Sequence, residues 1–176
     1  MAQIEKDNVR LTRDASYGKA FNFSPEAEYS GNDATKVTAV FSSYKTGTYT
    51  YDKTNGLYRI GQYGTSHSDA LYGTQLAFKN VFILRMNSYV IKGDTAGRLR
   101  FDSVGSGSGK YFVNGTATDI TWERSSKSSP FKFYTADGLE LAVVPGDSYV
   151  AIVPLDANVT VEGDVPVQVP ADTAAQ

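Results

Sequence analysis

The residues from Leu99 to Trp122, LRFDSVGSGSGKYFVNGTATDITW, decide the fold class. Arg100 and Asp102 alternate with the apolar Leu99 and Phe101, which is the pattern of a strand with one covered face. Asn-Gly pairs such as the one at 114–115 are typical of tight hairpin turns. The stretch therefore predicts three consecutive strands, a β-meander, over residues 99–104, 110–113 and 116–122.

The glycine run Gly105–Gly109, followed by Lys110, superficially matches a phosphate-binding loop. The match fails because such a loop needs a glycine five residues before the Gly-Lys pair and a Ser or Thr after it, whereas Val104 and Tyr111 stand there. Lys110 also occupies the place of the third glycine in a dinucleotide fingerprint. We interpret the run as a turn or bulge between strands, with glycines that permit a close backbone approach.

Outward from this stretch, strand-sized runs recur about every ten residues and are separated by turn pairs such as Asn55-Gly56, Asp137-Gly138 and Pro145-Gly146. No helical period stands out. The pattern predicts an all-β domain, a single antiparallel sandwich or partly open barrel with meander hairpins and little helix. Asn80–Leu84 is apolar on both faces, which predicts a central strand covered on each side.

The domain organisation predicted from these runs has three parts. Residues 1–20 form a polar lead-in, residues 21–154 form the all-β domain, and residues 155–176 form a C-terminal extension. Val159–Val161 or Val165–Pro170 would add an edge strand to the domain, and Ala171–Gln176 would be a disordered tail.

Composition excludes several classes of function. The chain has 176 residues, a formal net charge of −2 and no cysteine. The charge balance gives no basic stripe for nucleic acid, and the missing cysteine excludes disulfides and thiolate metal sites. Its apolar runs are strand-sized, shorter than the roughly 20 residues that span a bilayer. We predict no cofactor, no metal, no nucleic-acid partner, and no signal peptide at the start of this sequence.

The order of features from Phe21 to Pro154 resembles the C-terminal domain of the YerB-like family, bacterial proteins of unknown function that are proposed lipoproteins. The matching residues are Phe21, Phe23, Tyr51-Asp52, Gly56, Tyr58-Arg59, Gly64, His67, Asp69, Asn80-Val81, Gly107, Gly109, Asn114-Gly115, Thr121-Trp122, Asp137-Gly138, Pro145-Gly146 and Val153-Pro154. The resemblance implies an extracytoplasmic, lipid-anchored parent protein in which this domain follows a larger N-terminal domain. The lipobox cysteine and that domain are absent from the sequence, as expected of a fragment.

His67 is the single titratable imidazole of the chain, in a predicted loop from Gly61 to Gln75. As a general base it would need a carboxylate to orient it and a nucleophile in reach, and Asp69 is merely adjacent. The alternative is a polar loop in which Asp69 caps a turn. One histidine without cysteine also makes a zinc site unattractive.

A candidate binding surface is therefore predicted rather than a catalytic set, and no catalytic residue is assigned. Its residues are Tyr58, Arg59, His67, Asp69 and Asn80. Tyrosines of the chain, 12 in all, would either pack in the core or form a platform for sugar rings or a protein.

Three functions stay open from the sequence. The leading hypothesis is a non-catalytic binding module of an envelope lipoprotein, whose partners are its own N-terminal domain, an envelope glycan or a protein. The first alternative is an envelope-polymer hydrolase in which Arg59 holds an anion and His67 moves a proton. The second alternative is a structural spacer, which predicts no concave polar site.

Overall fold

The computed structural model describes residues 19–29 and 31–163, and no residue in these ranges is helical. Among them there is accordingly no helix of the length and hydropathy needed to cross a membrane. The strands are β1 (Asn22–Phe23), β2 (Asn32–Asp33), β3 (Lys36–Val40), β4 (Thr46–Asp52), β5 (Leu57–Gln62), β6 (Thr65–Ser66), β7 (Ala77–Phe78), β8 (Asn80–Met86), β9 (Ser88–Val90), β10 (Leu99–Phe101), β11 (Gly105–Val113), β12 (Thr116–Arg124), β13 (Lys132–Thr135), β14 (Ala142–Val143), β15 (Ser148–Pro154) and β16 (Val159–Glu162).

Two six-stranded sheets carry the architecture. The central sheet has the order β13-β12-β11-β8-β15, with β2 also paired to β12, and the outer sheet has the order β16-β3-β4-β5-β6, with β7 also paired to β5. Pairing is antiparallel except between β15 and β8 and between β1 and β14, which are parallel. The all-β prediction is confirmed, and the sheets form an open sandwich rather than a closed barrel.

The main core fills the space between the two sheets. Tyr49, Tyr58 and Ile60 of the outer sheet pack in one buried cluster with Ile83 and Phe112 of the central sheet. β-branched and aromatic side chains suit this position because they cover a pleated face well. The cluster fixes the outer sheet on one face of the central sheet.

A second core covers the opposite face of the central sheet. Phe82, Tyr111, Trp122 and Phe133 form its buried aromatic part, and residues 21–29 with the segment around β14 lie over them. Every residue from 80 to 84 is buried. The prediction of a central strand covered on both faces is confirmed, because β8 has one core on each side.

The predicted meander is wrong in two respects. β10 pairs with β9 in a separate two-stranded sheet and not with β11. The glycine run is neither turn nor bulge, because it forms the first half of β11 and pairs along its length with β12. Glycine is required at 107 for a close approach: a Cβ there would lie 2.7 Å from the indole nitrogen of Trp122. The tryptophan fills the space that the missing side chain leaves.

Two turns fix the far end of the sandwich. Asn114 and Gly115 join β11 to β12 with φ angles of +52° and +78°, the combination that an Asn-Gly hairpin turn uses. The turn at Asn55-Gly56 is looser than predicted. It spans residues 53–56, only Gly56 has a positive φ, and the Asp52 carboxylate accepts the backbone N–H groups of Thr54 and Asn55.

The predicted loop 61–75 contains more structure than expected. It includes the end of β5, the short β6 and a bridge between Ser68 and Gln75. β16 pairs antiparallel to β3 at the edge of the outer sheet. Most of the predicted lead-in, the candidate strand Val165–Pro170 and the predicted tail lie outside the described residues.

Candidate functional site

Tyr58 and Arg59 are neighbours in β5 that point to opposite faces of the outer sheet. Tyr58 is fully buried and its hydroxyl donates to the carbonyl of Ala34 at 3.0 Å. Arg59 is exposed and pairs with Asp52, with Nη2 2.7 Å from Oδ2. The two side chains therefore cannot share one binding surface.

Asn80 is a buried structural amide. It has no exposed surface, and its Oδ1 accepts the hydroxyl of Tyr111 at 2.5 Å. Its Nδ2 donates to the carbonyl of Val144 at 2.9 Å. The amide thus ties β8, β11 and the loop before β15 together on the second core's side of the central sheet, away from Tyr58.

His67 and Asp69 are half-buried in the segment between β6 and β7. The Asp69 carboxylate accepts the backbone N–H groups of Leu71 and Tyr72 at 2.8 and 2.9 Å, which is the turn-capping arrangement. The backbone of His67 bonds to Ile60 and Leu76, while its imidazole makes no hydrogen bond to a described residue. The five predicted residues do not converge. A ligand role for Arg59, His67 and Asp69 stays a prediction.

Electrostatics agree with these structural roles. Hydrogen bonds from Asn55 and then Arg59 lower the pKa of the Asp52 carboxyl to about 2. Burial raises the pKa values of Tyr58 and Tyr111, so both hydroxyls stay protonated donors. Within the described ranges, no group of three or more His, Asp or Glu side chains is arranged to hold a metal ion.

A different set of side chains meets where β11 begins and β12 ends, which we call the open end of this hairpin. Arg124 is its centre. The guanidinium donates to the carbonyl of Ser129 at 2.8 Å, to the hydroxyl of Ser103 at 3.3 Å and to the carbonyl of Lys127, and it lies 4.8 Å from the ring centroid of Phe131. These bonds hold the serine-rich loop 125–129 against the sheet.

On one side of Arg124 lies an open cavity of about 320 Å³, called here the cationic cavity. It is lined by Arg100, Phe101, Asp102, Ser103, Val104 and Lys127. The Asp102 carboxylate accepts a hydrogen bond from the amide of Asn87 at 2.9 Å. Arg100 and Lys127 form no ion pair with a described residue, unlike Lys36, Arg59, Arg98 and Lys110, which each pair with a carboxylate.

On the other side of Arg124 lies a pocket of about 220 Å³, called here the apolar pocket. It is lined by Ala20, Phe21, Arg124, Ser128, Ser129, Pro130, Phe131, Phe133 and Val150. The ring of Phe133 stacks on Phe21 and on Phe131, with centroids 5.8 and 6.2 Å apart. Val150 is 40% exposed at its mouth. Mostly apolar walls with a few polar groups at one side are typical of small-molecule sites.

Next to the cationic cavity, the hairpin of β9 and β10 forms an arm with exposed apolar side chains. Tyr89 is 45% exposed, Val90 57% and Ile91 41%. Directly opposed residues share a face, so Val90 lies with Leu99, and Tyr89 with Arg100. A two-stranded hairpin is only marginally stable by itself, and one with such exposure is a candidate contact surface.

Sequence reasoning missed the open end because its residues come from four distant segments. Arg100 fits the polar face of a half-exposed strand, and residues 125–129 fit an ordinary polar loop. The available signal was weak: SSKSS directly follows Arg124 and precedes the aromatic pair Phe131 and Phe133. Only the fold brings residues 20–21, 100–104 and 150 beside that segment.

Comparison with known proteins gives the family. The family model described as "Protein of unknown function (DUF3048) C-terminal domain" matches residues 37–150. The chain belongs to this family. A Bacillus subtilis (strain 168) protein named "Putative lipoprotein YerB" is 28% identical to this DUF3048 domain over 145 residues, which are 81% of this chain and 39% of that protein.

The fold of the DUF3048 domain is also found in a solved structure. The crystal structure of the YerB protein from Bacillus subtilis matches it with a TM-score of 0.67 and 23% identity, over 90% of this chain and 52% of that chain. The resemblance to the YerB-like family is thus confirmed, and the chain spans about half the length of the relatives it matches, or less. The family description gives no reaction or ligand, so this is a domain of unknown function whose Bacillus subtilis relative carries the name "Putative lipoprotein YerB".

Proposed function

We propose that this chain is a non-catalytic binding module of an extracytoplasmic envelope lipoprotein, and that its ligand brings an acidic group into the cationic cavity. One observation carries the proposal: Arg100 and Lys127 border an open cavity, and neither has a carboxylate of a described residue at ion-pair distance. Guanidinium and ammonium groups are the usual partners of phosphate and carboxylate. The relative's name supports the placement in the envelope.

The carboxylate of Asp102 modifies this cavity without neutralising it. Asp102 faces two cations in the cavity, and the guanidinium of Arg124 adds positive charge at the wall through its bond to Ser103. A net positive, solvent-open cavity attracts anions. Asp102 then favours a ligand whose acidic group has a hydroxyl or amine donor beside it, as in an envelope glycan.

The two alternatives have less support. A hydrolase would need the imidazole of His67 beside an orienting carboxylate, but Asp69 accepts the backbone N–H groups of Leu71 and Tyr72 instead. A purely structural spacer is expected to have no concave polar site, and the cationic cavity is such a site.

The proposed protein partner is the N-terminal domain of the parent lipoprotein, and the arm is the surface we assign to it. Support comes from the exposed Tyr89, Val90 and Ile91 and from the longer relatives, of which this chain spans 39% and 52%. Docking would remove these side chains from water. Hydrogen exchange of the arm amides should slow when that domain is added, and Val90→Asp should abolish the slowing; unchanged exchange would contradict the assignment.

Isothermal titration with inorganic phosphate at fixed ionic strength tests the acidic-group proposal. The intact chain should bind phosphate, and Lys127→Glu should weaken binding about tenfold because a charge-assisted hydrogen bond becomes a repulsion. Lys45→Glu is the matched control, since Lys45 lies in the turn between β3 and β4 and its ammonium contacts the ring of Phe41. Equal affinity in the two variants would contradict the proposal.

A further inference from the structure

The side chain of Arg124 links the cationic cavity and the apolar pocket, because it lines the pocket and bonds to residues that line the cavity. The guanidinium of Arg124 bonds to Ser103, which lines the cavity, and to Ser129, which lines the pocket. It also bonds to the carbonyl of Lys127. A ligand that rests on Arg124 can therefore reach both spaces at once.

The two spaces differ sharply in chemistry. The apolar pocket presents aromatic rings and an exposed Val150, while the cavity presents Arg100 and Lys127. Arg124 itself is occupied, since three protein acceptors and the ring of Phe131 surround its guanidinium. An incoming acidic group is thus directed to Arg100 and Lys127, and an incoming alkyl or aromatic group to the pocket.

We infer that the ligand of the open end is an acidic amphiphile, with its phosphate or carboxylate in the cationic cavity and the start of its apolar tail in the apolar pocket. This inference rests on the proposed function and adds the second half of the ligand. Charge complementarity and the shared wall identify the occupant of the pocket. A membrane lipid and a lipid-linked envelope precursor both have this chemistry.

Three soluble probes separate the contributions in calorimetric titrations below their micelle concentrations: inorganic phosphate, octyl phosphate and octyl glucoside. Each methylene that leaves water strengthens binding about fourfold. Octyl phosphate should therefore bind at least about tenfold more tightly than either of the other probes, because only it uses both spaces. Equal affinities of octyl phosphate and inorganic phosphate would overturn the inference.

Two variants of the full chain assign the halves of the ligand. Val150→Gln places a polar amide at the pocket mouth, and because Val150 is already 40% exposed the fold should be retained. It should remove the advantage of the octyl chain and leave phosphate affinity unchanged. Lys127→Glu should weaken both phosphate-containing probes about tenfold, and Lys45→Glu should change neither.

The outcomes separate this inference from the proposed function. Phosphate binding that depends on Lys127 but gains nothing from the octyl chain overturns the amphiphile and leaves the binding module standing, whereas no phosphate binding overturns both. A third outcome is that octyl phosphate binds more tightly than inorganic phosphate only in a double variant that carries Val9→Asp and Leu11→Asp. That result would assign the pocket to residues ahead of Lys19, and the inference would fail for the intact chain.

Binding of phosphatidylglycerol distinguishes the two sources once the probes have succeeded. Co-sedimentation with vesicles of phosphatidylglycerol, but not with phosphatidylcholine, supports a ligand taken from the membrane surface. Binding of monomeric dioctanoyl phosphatidylglycerol without vesicle binding supports a lipid carried singly. Failure of both lipids with retained octyl phosphate binding supports a lipid-linked envelope precursor, and failure of octyl phosphate as well overturns the inference.

Discussion

The two ends of the β11–β12 hairpin use their polar groups in opposite ways. At the closed end, Asn114 and Gly115 turn the chain, and the Oδ1 atom of Asn114 accepts a hydrogen bond from the ammonium of Lys79 at 2.7 Å. Nearby, the Tyr111 hydroxyl donates a hydrogen bond to Asn80 inside the second core. At the open end, Arg124 bonds to the loop that follows it, and two further cations line an open cavity. We therefore expect the closed end of this hairpin to matter for stability and the open end to matter for ligand binding.

The difference shows where mutation should affect stability and where it should affect binding. At the closed end, the buried Asn80 amide and the Tyr111 hydroxyl bond to each other, so removal of one leaves the other buried without that partner. At the open end, Arg100 and Lys127 form no ion pair with a described residue that a substitution could remove. The predictions below test this division.

The largest effect on stability is expected at Asn80. Asn80→Ala removes the acceptor of the Tyr111 hydroxyl and the donor to the Val144 carbonyl, which should lower the free energy of unfolding by about 3 kcal/mol in urea titrations. Ser148 is the matched control, since it lies opposite Asn80 in the parallel pair and its buried hydroxyl has no partner among the described residues. Ser148→Ala should cost nothing; similar losses in both would contradict the account.

The next effect is expected at Gly107, within β11 and close to the open end. Gly107→Val places methyl groups within the space of the Trp122 indole, and overpacking of this kind should cost about 2 kcal/mol of unfolding free energy. Ser108→Val serves as control because the adjacent side chain is exposed on the other face of β11. It should change stability by less than about 0.5 kcal/mol. A tolerated valine at 107 would show that the tryptophan can move aside.

A smaller effect is expected from acid at Asp52, which ends β4 in the outer sheet. The pKa of Asp52 is lowered to about 2 by its bonds with Asn55 and Arg59, so its contribution is fully present above the ordinary carboxyl pKa of about 4 and is lost as the pH falls toward 2. Asp52→Asn should therefore flatten the fall of the thermal midpoint between pH 4 and pH 2. Parallel curves for the two proteins would exclude Asp52 as a source of acid sensitivity.

The smallest effect on stability is expected at the open end. Arg100→Glu and Lys127→Glu should each change the free energy of unfolding by less than about 0.5 kcal/mol, because both side chains are exposed and neither loses an ion pair with a described residue. The same variants should weaken phosphate binding about tenfold. A large loss of stability would mean that these cations support the fold.

The sequence was sufficient for the parts of the fold that depend on local pattern. Asn80–Leu84 showed a strand covered on both faces because its residues are apolar at every position after the first, and 114–115 marked a turn that the φ angles confirm. The glycine run misled because its pairing depends on the indole of Trp122, which lies across the hairpin and not beside it in sequence.

The candidate site was much less accessible from the sequence. His67 was a candidate because it is the single histidine of the chain, and Asn80 is one of the residues that match the YerB-like family. Neither observation shows whether a side chain is buried. The open end consists of common residues that look like solvated charges and loop serines. They come from the arm, from the segment at Ala20-Phe21 and from β15, and only the tertiary structure brings these segments together.

The most direct test of the division between the ends is a ¹H–¹⁵N chemical-shift map of the full chain titrated with octyl phosphate. The account predicts that the perturbed amides lie at residues 100–105 and 124–131, with the turn at Asn114-Gly115 unchanged. Perturbations centred instead on the closed end, or on the predicted residues His67 and Asp69, would contradict it.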